Sequence, residues 1–269
     1  MVWTPRGELP QMKLDGNDIE LLNLCLEGRP QITSPESKTV EYDLDGGFNG
    51  NVFVDTGWNN LSIKVRFNYL EVSSTVTFRE QFAMYRSRFY SAKTLEFNDQ
   101  PDVIYTVKTV RIGDALNDFV DYGSFEIEFI CEPFGIKTSA PIVITATTNT
   151  LQNNTGWYTA YPLITVTGIP TTAGTTMRIR MLEVLTNNYF FDCNITGSGI
   201  PASATKLVID GRKRLVWYET SGGVKSYPKG EMTMVTFPAI PRGNFRVITT
   251  LPSPVPTGMT ITIDKNEVV

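Results

Sequence analysis

Apolar and polar residues alternate with a period of two along most of this 269-residue chain, the pattern of strands with one buried face. In Leu61–Leu70, Ile63, Val65, Phe67 and Tyr69 take one face while Ser62, Lys64, Arg66 and Asn68 take the other. In Gly123–Gly135, Phe125, Ile127, Phe129 and Cys131 alternate with Glu126, Glu128 and Ile130. Further strand-like runs stand at Gln11–Leu14, Ile19–Leu26, Thr39–Leu44, Asn51–Val54, Thr94–Phe97 and Val103–Ile112. Asp15-Gly16-Asn17 has the composition of a hairpin turn, and Asn98–Asp102 that of an Asx- and proline-rich turn. One segment departs from the period. In Thr77–Ala92, Phe78, Phe82, Tyr85 and Phe89 fall at spacings of 4, 3 and 4, one face of a helix, and Thr77 with Glu80 makes a capping box at its start. That stripe reads as core packing against the sheet rather than as a ligand site.

Past Gly135 the pattern is strand and turn alone. Runs are expected at Ile142–Thr147, Leu163–Thr167, Met177–Val184, Tyr189–Ile195, Lys206–Ile209, Arg214–Glu219, Met232–Phe237, Asn244–Ile248 and Met259–Ile263. Asn187-Asn188 and Asp210-Gly211 sit between runs as tight hairpin turns. The fold class is mainly β, with one helix in the N-terminal domain and two β-sandwich domains. The boundary falls after Glu132-Pro133-Phe134-Gly135, because proline cannot donate to a ladder and glycine frees the backbone. It divides the chain into 1–136 and 137–269, with Phe134 expected to pack at the junction. Charge changes sign there. Residues 1–136 hold 12 Lys/Arg against 21 Asp/Glu, a formal net of −9; residues 137–269 hold 12 against 7, a net of +5.

Composition narrows the chemistry. The absence of histidine removes the commonest general base, Ser-His and Cys-His nucleophile pairs and most zinc sites. Cys25, Cys131 and Cys193 lie in apolar strand-like settings with no CxxC pair and read as buried free thiols. No run approaches the ~20 apolar residues of a membrane-spanning helix, and the first six residues do not read as a signal peptide, so a soluble chain folded in a cytoplasm is expected. Asp43–Asn51 (DLDGGFNGN) evokes a calcium loop, but Gly47 occupies a ligand position and Phe48 stands where the loop needs glycine; an exposed loop is expected instead. A carboxylate-dependent glycoside hydrolase needs two acids across a cleft, and the second half holds few. No catalytic residue, cofactor or metal is assigned, and the chain is not expected to be an enzyme.

Aromatic side chains collect around Trp157, Tyr158 and Tyr161, and again at Trp217, Tyr218 and Tyr227. Trp157, Tyr158, Trp217 and Tyr218 are therefore the candidate contacts for a carbohydrate or a protein partner. A module that attaches to host cell-surface glycans is the alternative reading of function. Arg212-Lys213-Arg214 reads as a solvated turn, or as a face for an acidic partner.

Several segments in succession carry a family likeness: GGFNGNVFVDTG (46–57) followed by LSIKVRF, FREQFAMYRSRFYSAKTLEFNDQPDVIYTVKTV, FEIEFICEPFG, and NTGWYTAYPLITVTG with Ala160-Tyr161-Pro162-Leu163 at its centre. Their order and spacing resemble the distal tail protein (Dit) family of siphovirus-type bacteriophages. The likeness covers most of residues 10–168 and runs more loosely to the end. It implies a structural virion protein of the tail tip, assembled in the host cytoplasm. Its first domain would close into a homohexameric ring under the tail tube, continuing a channel that passes DNA and the tape-measure protein without binding DNA specifically. The second domain would be galectin-like. The implied partners are the major tail or tube protein, a tail-associated lysin or tail fibre hub protein, and receptor-binding or baseplate proteins. Asp43, Asp45, Phe48 and Asn49, in the loop of the first segment, are candidate ring-assembly residues. A ring domain with a net of −9 would present an acidic bore that repels DNA and lets it slide.

Overall fold

The computed structural model describes residues 11–22, 24–43, 51–70, 77–114, 116–119, 122–172, 174–198 and 200–269. The chain divides into two compact units, Met1–Gly135 and Ile136–Val269, and each has its own hydrophobic core.

The strands of the first unit are β1 Met12–Leu14, β2 Asn17–Asp18, β3 Leu24–Leu26, β4 Gln31–Ile32, β5 Ser37–Asp43, β6 Asn51–Trp58, β7 Leu61–Leu70, β8 Thr94–Phe97, β9 Val103–Ile112, β10 Leu116–Phe119 and β11 Tyr122–Cys131. The helix α1 is Phe78–Tyr90, and a short 3-10 turn spans Ile19–Leu22. Pairing runs β2-β1-β8-β9-β11-β7-β3, with β10 on β11 and β4 on β7. β9 is shared: Ile104–Thr106 pair with β8, whereas Val107–Ile112 pair with β11 across a bulge. Its buried residues accordingly step from Tyr105 and Val107 to Val110, a spacing of two and then three. A bulge sharpens local twist, so the sheet bends on β9 and wraps its core. The first unit is thus the expected mainly-β layer structure with one helix, its sheet curled around the core at β9. Among the described residues the β5–β6 hairpin pairs only with itself.

Two local devices fix the helix. The capping box forms as the sequence predicts: Thr77 Oγ1 accepts from the Glu80 amide at 3.3 Å, and Glu80 Oε2 accepts from the Thr77 amide at 2.9 Å. At the C-terminal side, Asp15 Oδ1 accepts from the amides of Lys93 and Thr94 at 2.8 and 2.9 Å, tying the exit from the helix to the β1–β2 turn. Asp15 and Gly16 both have positive φ there, as a mirror-image hairpin turn requires. The buried face of α1 meets the sheet in an aromatic cluster. The Phe125 ring lies 5.3–6.1 Å from those of Phe67, Tyr69, Phe82, Tyr85 and Phe89. The Tyr85 hydroxyl, buried at the helix, donates to the Leu22 carbonyl at 2.9 Å. Gly123 leaves room for this cluster, since a Cβ there would stand 2.4 Å from the Tyr69 ring. Phe134 packs edge-on against Trp58 at 5.2 Å, within this unit.

The second unit contains β12 Ile136–Lys137, β13 Ile142–Ile144, β14 Thr148–Asn154, β15 Leu163–Thr167, β16 Thr176–Glu183, β17 Tyr189–Thr196, β18 Ala204–Asp210, β19 Leu215–Thr220, β20 Lys225–Ser226, β21 Met232–Met234, β22 Gly243–Thr250, β23 Thr260–Asp264 and β24 Glu267–Val268. Two antiparallel sheets, β13-β23-β15-β18-β19-β20 and β14-β22-β16-β17-β21, enclose one core, and β12 pairs with β24. This is a sandwich. Ile164, Val166, Leu207 and Ile261 come from one sheet, and Ile179, Phe191, Ile195 and Val247 from the other. The run expected over Ile142–Thr147 ends early at Ile144, and β14 crosses to the second sheet. The Asp210-Gly211 turn is longer than a two-residue hairpin. It spans Gly211–Arg214, with Arg214 at φ 52° and Asp210 Oδ1 accepting from the Arg212 and Lys213 amides at 3.0 and 2.9 Å.

Cys131 and Cys193 are wholly buried, and burial pushes both thiols up to about 12. Cys25 is exposed, not buried, because Leu24 and Leu26 take the inward positions of β3. No helix among the described residues is long and apolar enough to cross a membrane.

Phe125→Ala is expected to destabilise the first unit by about 3–5 kcal/mol, since it removes a ring shared by helix and sheet. Denaturant unfolding followed by near-UV circular dichroism measures this; a loss below about 1 kcal/mol contradicts the central role of the ring.

Candidate interaction surfaces

In the second unit the segment after β14 is held from beneath by one buried amide. Asn154 Nδ2 donates to the carbonyls of Tyr158, Ile240 and Pro241 at 3.1–3.2 Å, and its Oδ1 accepts from the Gly156 amide at 3.0 Å. The Ala160–Ile240 bridge and a bond from the Trp157 amide to the Val268 carbonyl, 2.8 Å, fix the same turn. The turn holds its aromatic side chains outward. Trp157 is 67% exposed, and Tyr158 and Tyr161 retain part of their surface. The Arg242 guanidinium lies 4.9 Å from the Trp157 ring centroid, a cation–π contact that occupies one face of the indole.

A buried ion pair backs this platform. Glu267 is 1% exposed, accepts from Lys265 Nζ and Thr155 Oγ1, and lies on β24 beside Val268. Lys265 Nζ also donates to the Asn153 carbonyl at 3.1 Å. Burial pushes the Glu267 carboxyl up, but the hydrogen bonds from Lys265 and Thr155 together outweigh it and hold it below its ordinary 4.5.

The other aromatic pair separates. Neighbouring residues of a strand point to opposite faces, so β19 turns Trp217 outward and Tyr218 inward. Trp217 is half-buried, its Nε1 donates to Glu219 Oε2 at 3.2 Å, and Lys225 Nζ sits 4.4 Å from its ring centroid. Tyr218 is 0% exposed in the core. It cannot touch a partner at the surface, which corrects its place among the candidate contacts. Trp157 and Trp217 are carried on different elements, and each has its own cation. Arg242 and Lys225 carry no local sequence signal for these contacts: nothing in the pattern around Trp157 links it to Arg242, 85 positions away.

In the first unit the outward face of β9, β11 and β7 is a ladder of opposite charges. Lys108 meets Glu132 at 3.1 Å, Arg111 meets Glu128 at 3.0 Å, and Arg66 meets Glu27 and Glu126 at 3.5 and 3.7 Å. A hydrogen bond from Ser62 holds the Glu128 carboxyl low, with Arg111 adding to it. Such exposed pairs set register and solubility more than stability. Of the ring-assembly candidates, Asp45, Phe48 and Asn49 lie outside the described residues; Asp43 ends β5. The calcium-like loop falls in the same stretch. Among the described residues no group of three His, Cys, Asp or Glu could hold a metal ion.

No family model matches the chain, and no curated protein matches it. Among solved structures it is similar to the SPP1 Dit (gp 19.1) protein, described as a paradigm of hub adsorption apparatus in Gram-positive infecting phages. The superposition covers 96% of this chain and 99% of that one, with a TM-score of 0.64 and 14% sequence identity. The likeness is one of fold, and it takes in both units.

Glu267→Gln leaves Lys265 without its countercharge and is expected to lower stability at neutral pH by on the order of 2–3 kcal/mol. A carboxyl held below its ordinary value stabilises the fold above that value and loses the contribution as pH falls through the lowered one. The gap between the variant and the wild type should therefore close below pH 4.5, as thermal unfolding at stepped pH will read. A gap unchanged down to pH 2 contradicts the pair.

Proposed function

We propose that this chain is a structural hub protein of a phage tail tip, of the distal tail family, and not a catalyst. The observation that carries this is the shared fold with a phage hub protein over nearly the full length of both chains. In this reading six copies close a ring through the first unit, beneath the tail tube and around a bore that passes DNA and the tape-measure protein. The first unit's net of −9 suits a bore that must let DNA slide. The Asp43–Asn51 loop is assigned to ring assembly. The second unit, a sandwich with a net of +5, faces outward and holds baseplate or receptor-binding proteins. Its contacts are assigned to Trp157, Tyr158 and Trp217.

A host-glycan module is the second reading, favoured by the exposure of Trp157. Arg242 weighs against it for neutral sugars, since its guanidinium covers a ring face on which a sugar would stack. Aromatic side chains joined by arginine are the composition of protein–protein hot spots, and this favours a partner protein.

Native mass spectrometry and negative-stain imaging of the full chain test the reading. The expected species has six times the 30.1 kDa of one chain, forms a ring with a central opening, and leaves glycan arrays unbound. A monomer at tens of micromolar, together with absence of the chain from purified tails, sinks the hub. A ring whose bore is lined by Lys/Arg sinks the acidic channel.

A further inference from the structure

The outward face of the β14-β22-β16-β17-β21 sheet gathers arginine. Alternation turns Met177, Ile179, Cys193 and Val247 into the core and leaves the residues between them outside. The register then sets one arginine in each of three successive cross-strand rows. Arg246 stands between Leu151 and Leu182, Arg180 between Ile248 and Asp192, and Arg178 beside Asn194. Arg180 and Arg246 are diagonal neighbours on adjacent strands, about 7–8 Å apart.

Asp192 is the single carboxylate in these rows, so three guanidiniums against one acid leave a net of +2. That carboxylate is already taken. Arg178 Nε donates to Asp192 Oδ1 at 2.8 Å and its Nη2 donates to Oδ2, a two-pronged pair. Arg180 turns to Tyr189 instead. Its Nη1 donates to the phenol oxygen at 3.3 Å, its guanidinium lies 5.6 Å from the ring centroid, and its Nε has no acceptor among the described residues. Arg246 donates to a neutral amide oxygen, Asn149 Oδ1, at 3.3 Å. Leu182 and Ile248 floor the patch, while Leu151 and Tyr189 stay exposed at its margins.

We infer that this face is a docking surface for an acidic segment of a partner protein, whose carboxylates, spaced about 7 Å apart, pair with Arg180 and Arg246. Charge complementarity sets the sign of the occupant: two guanidiniums stand without a countercharge of their own, on a unit whose net is +5. The setting decides its class. Arginine and tyrosine over an aliphatic floor are the side chains that dominate protein–protein contacts, and Leu182 and Ile248 beneath the guanidiniums suit side chains better than sugar hydroxyls. The inference rests on the second unit being the half that holds partners, and it adds an acid-binding surface to the aromatic contacts assigned there.

The probe is a peptide of alternating glutamate and threonine, titrated into the full chain by calorimetry at low ionic strength, with the alternating glutamine–threonine peptide as neutral control. The glutamate peptide is expected to bind and to weaken as salt rises, and the control to stay unbound. Arg180→Glu/Arg246→Glu is expected to lower the affinity by about tenfold or more, with circular dichroism unchanged because neither side chain lies in the core. Lys213→Glu/Lys229→Glu makes the same change of net charge at exposed turns outside this face and should leave binding unaltered. A glutamate peptide that fails to bind, or that both double variants release equally, overturns the arginine face. Polygalacturonate bound through Arg180 and Arg246 in place of the peptide makes the ligand an acidic glycan and overturns the protein partner. The hub reading fails separately. A ring that forms without binding the peptide removes this surface alone, whereas a chain that binds the peptide but never closes a ring removes the hub and keeps the surface.

Discussion

Phe125 is the residue on which the first unit turns. Its ring is in reach of five others, drawn from β7 and α1, so one side chain on β11 joins the helix to the sheet. Aromatic pairs each add roughly 0.5–1.5 kcal/mol beyond the area they bury. An aromatic side chain also loses little rotamer freedom when fixed, so a cluster of rings orders the helix at small entropic cost. The surrounding features serve that contact. Gly123 vacates the space that the Tyr69 ring fills, the capping box fixes where the helix begins, and the Asp15 carboxylate fixes how the chain leaves it.

The second unit is organised differently. Its two sheets meet through aliphatic side chains, Met, Cys193, Tyr218 and two fully buried Phe rings, and its polar specificity is concentrated where strands end. Asn154 satisfies three carbonyls and an amide at once, and the Glu267–Lys265 pair lies behind the same turn. Buried polar groups with every bond made fix a single conformation. Here they hold an exposed indole and its arginine in place, so the platform is preorganised rather than assembled on contact.

Much of this architecture was legible in residue order. The alternation of β7, the runs of β8 and β9 and the cap of α1 stand where the pattern puts them, because each buries one face and leaves the other wet. What escaped has physical reasons. β14 (TNTLQNN) offers Leu151 as its only large apolar residue, and that side chain points outward; its ladder with β22 holds it instead. β10 is a short strand completed by its pairing with β11 across a bulge. The bend at β9 shows only as a slip of one residue between Val107 and Val110. Among the contacts, alternation alone could have separated Trp217 from Tyr218, whereas Arg242 reaches Trp157 through tertiary structure that no local pattern encodes.

The three thiols differ sharply in situation. Two are sealed in separate cores with their proton held tightly, and Cys25 lies on β3, the strand that ends the path of the wrapped sheet. A maleimide probe therefore goes to a single position on the native protein without any engineered cysteine. One fluorophore per chain turns copy number into a count of photobleaching steps, and energy transfer between neighbouring labels into a ruler across whatever the chains build together.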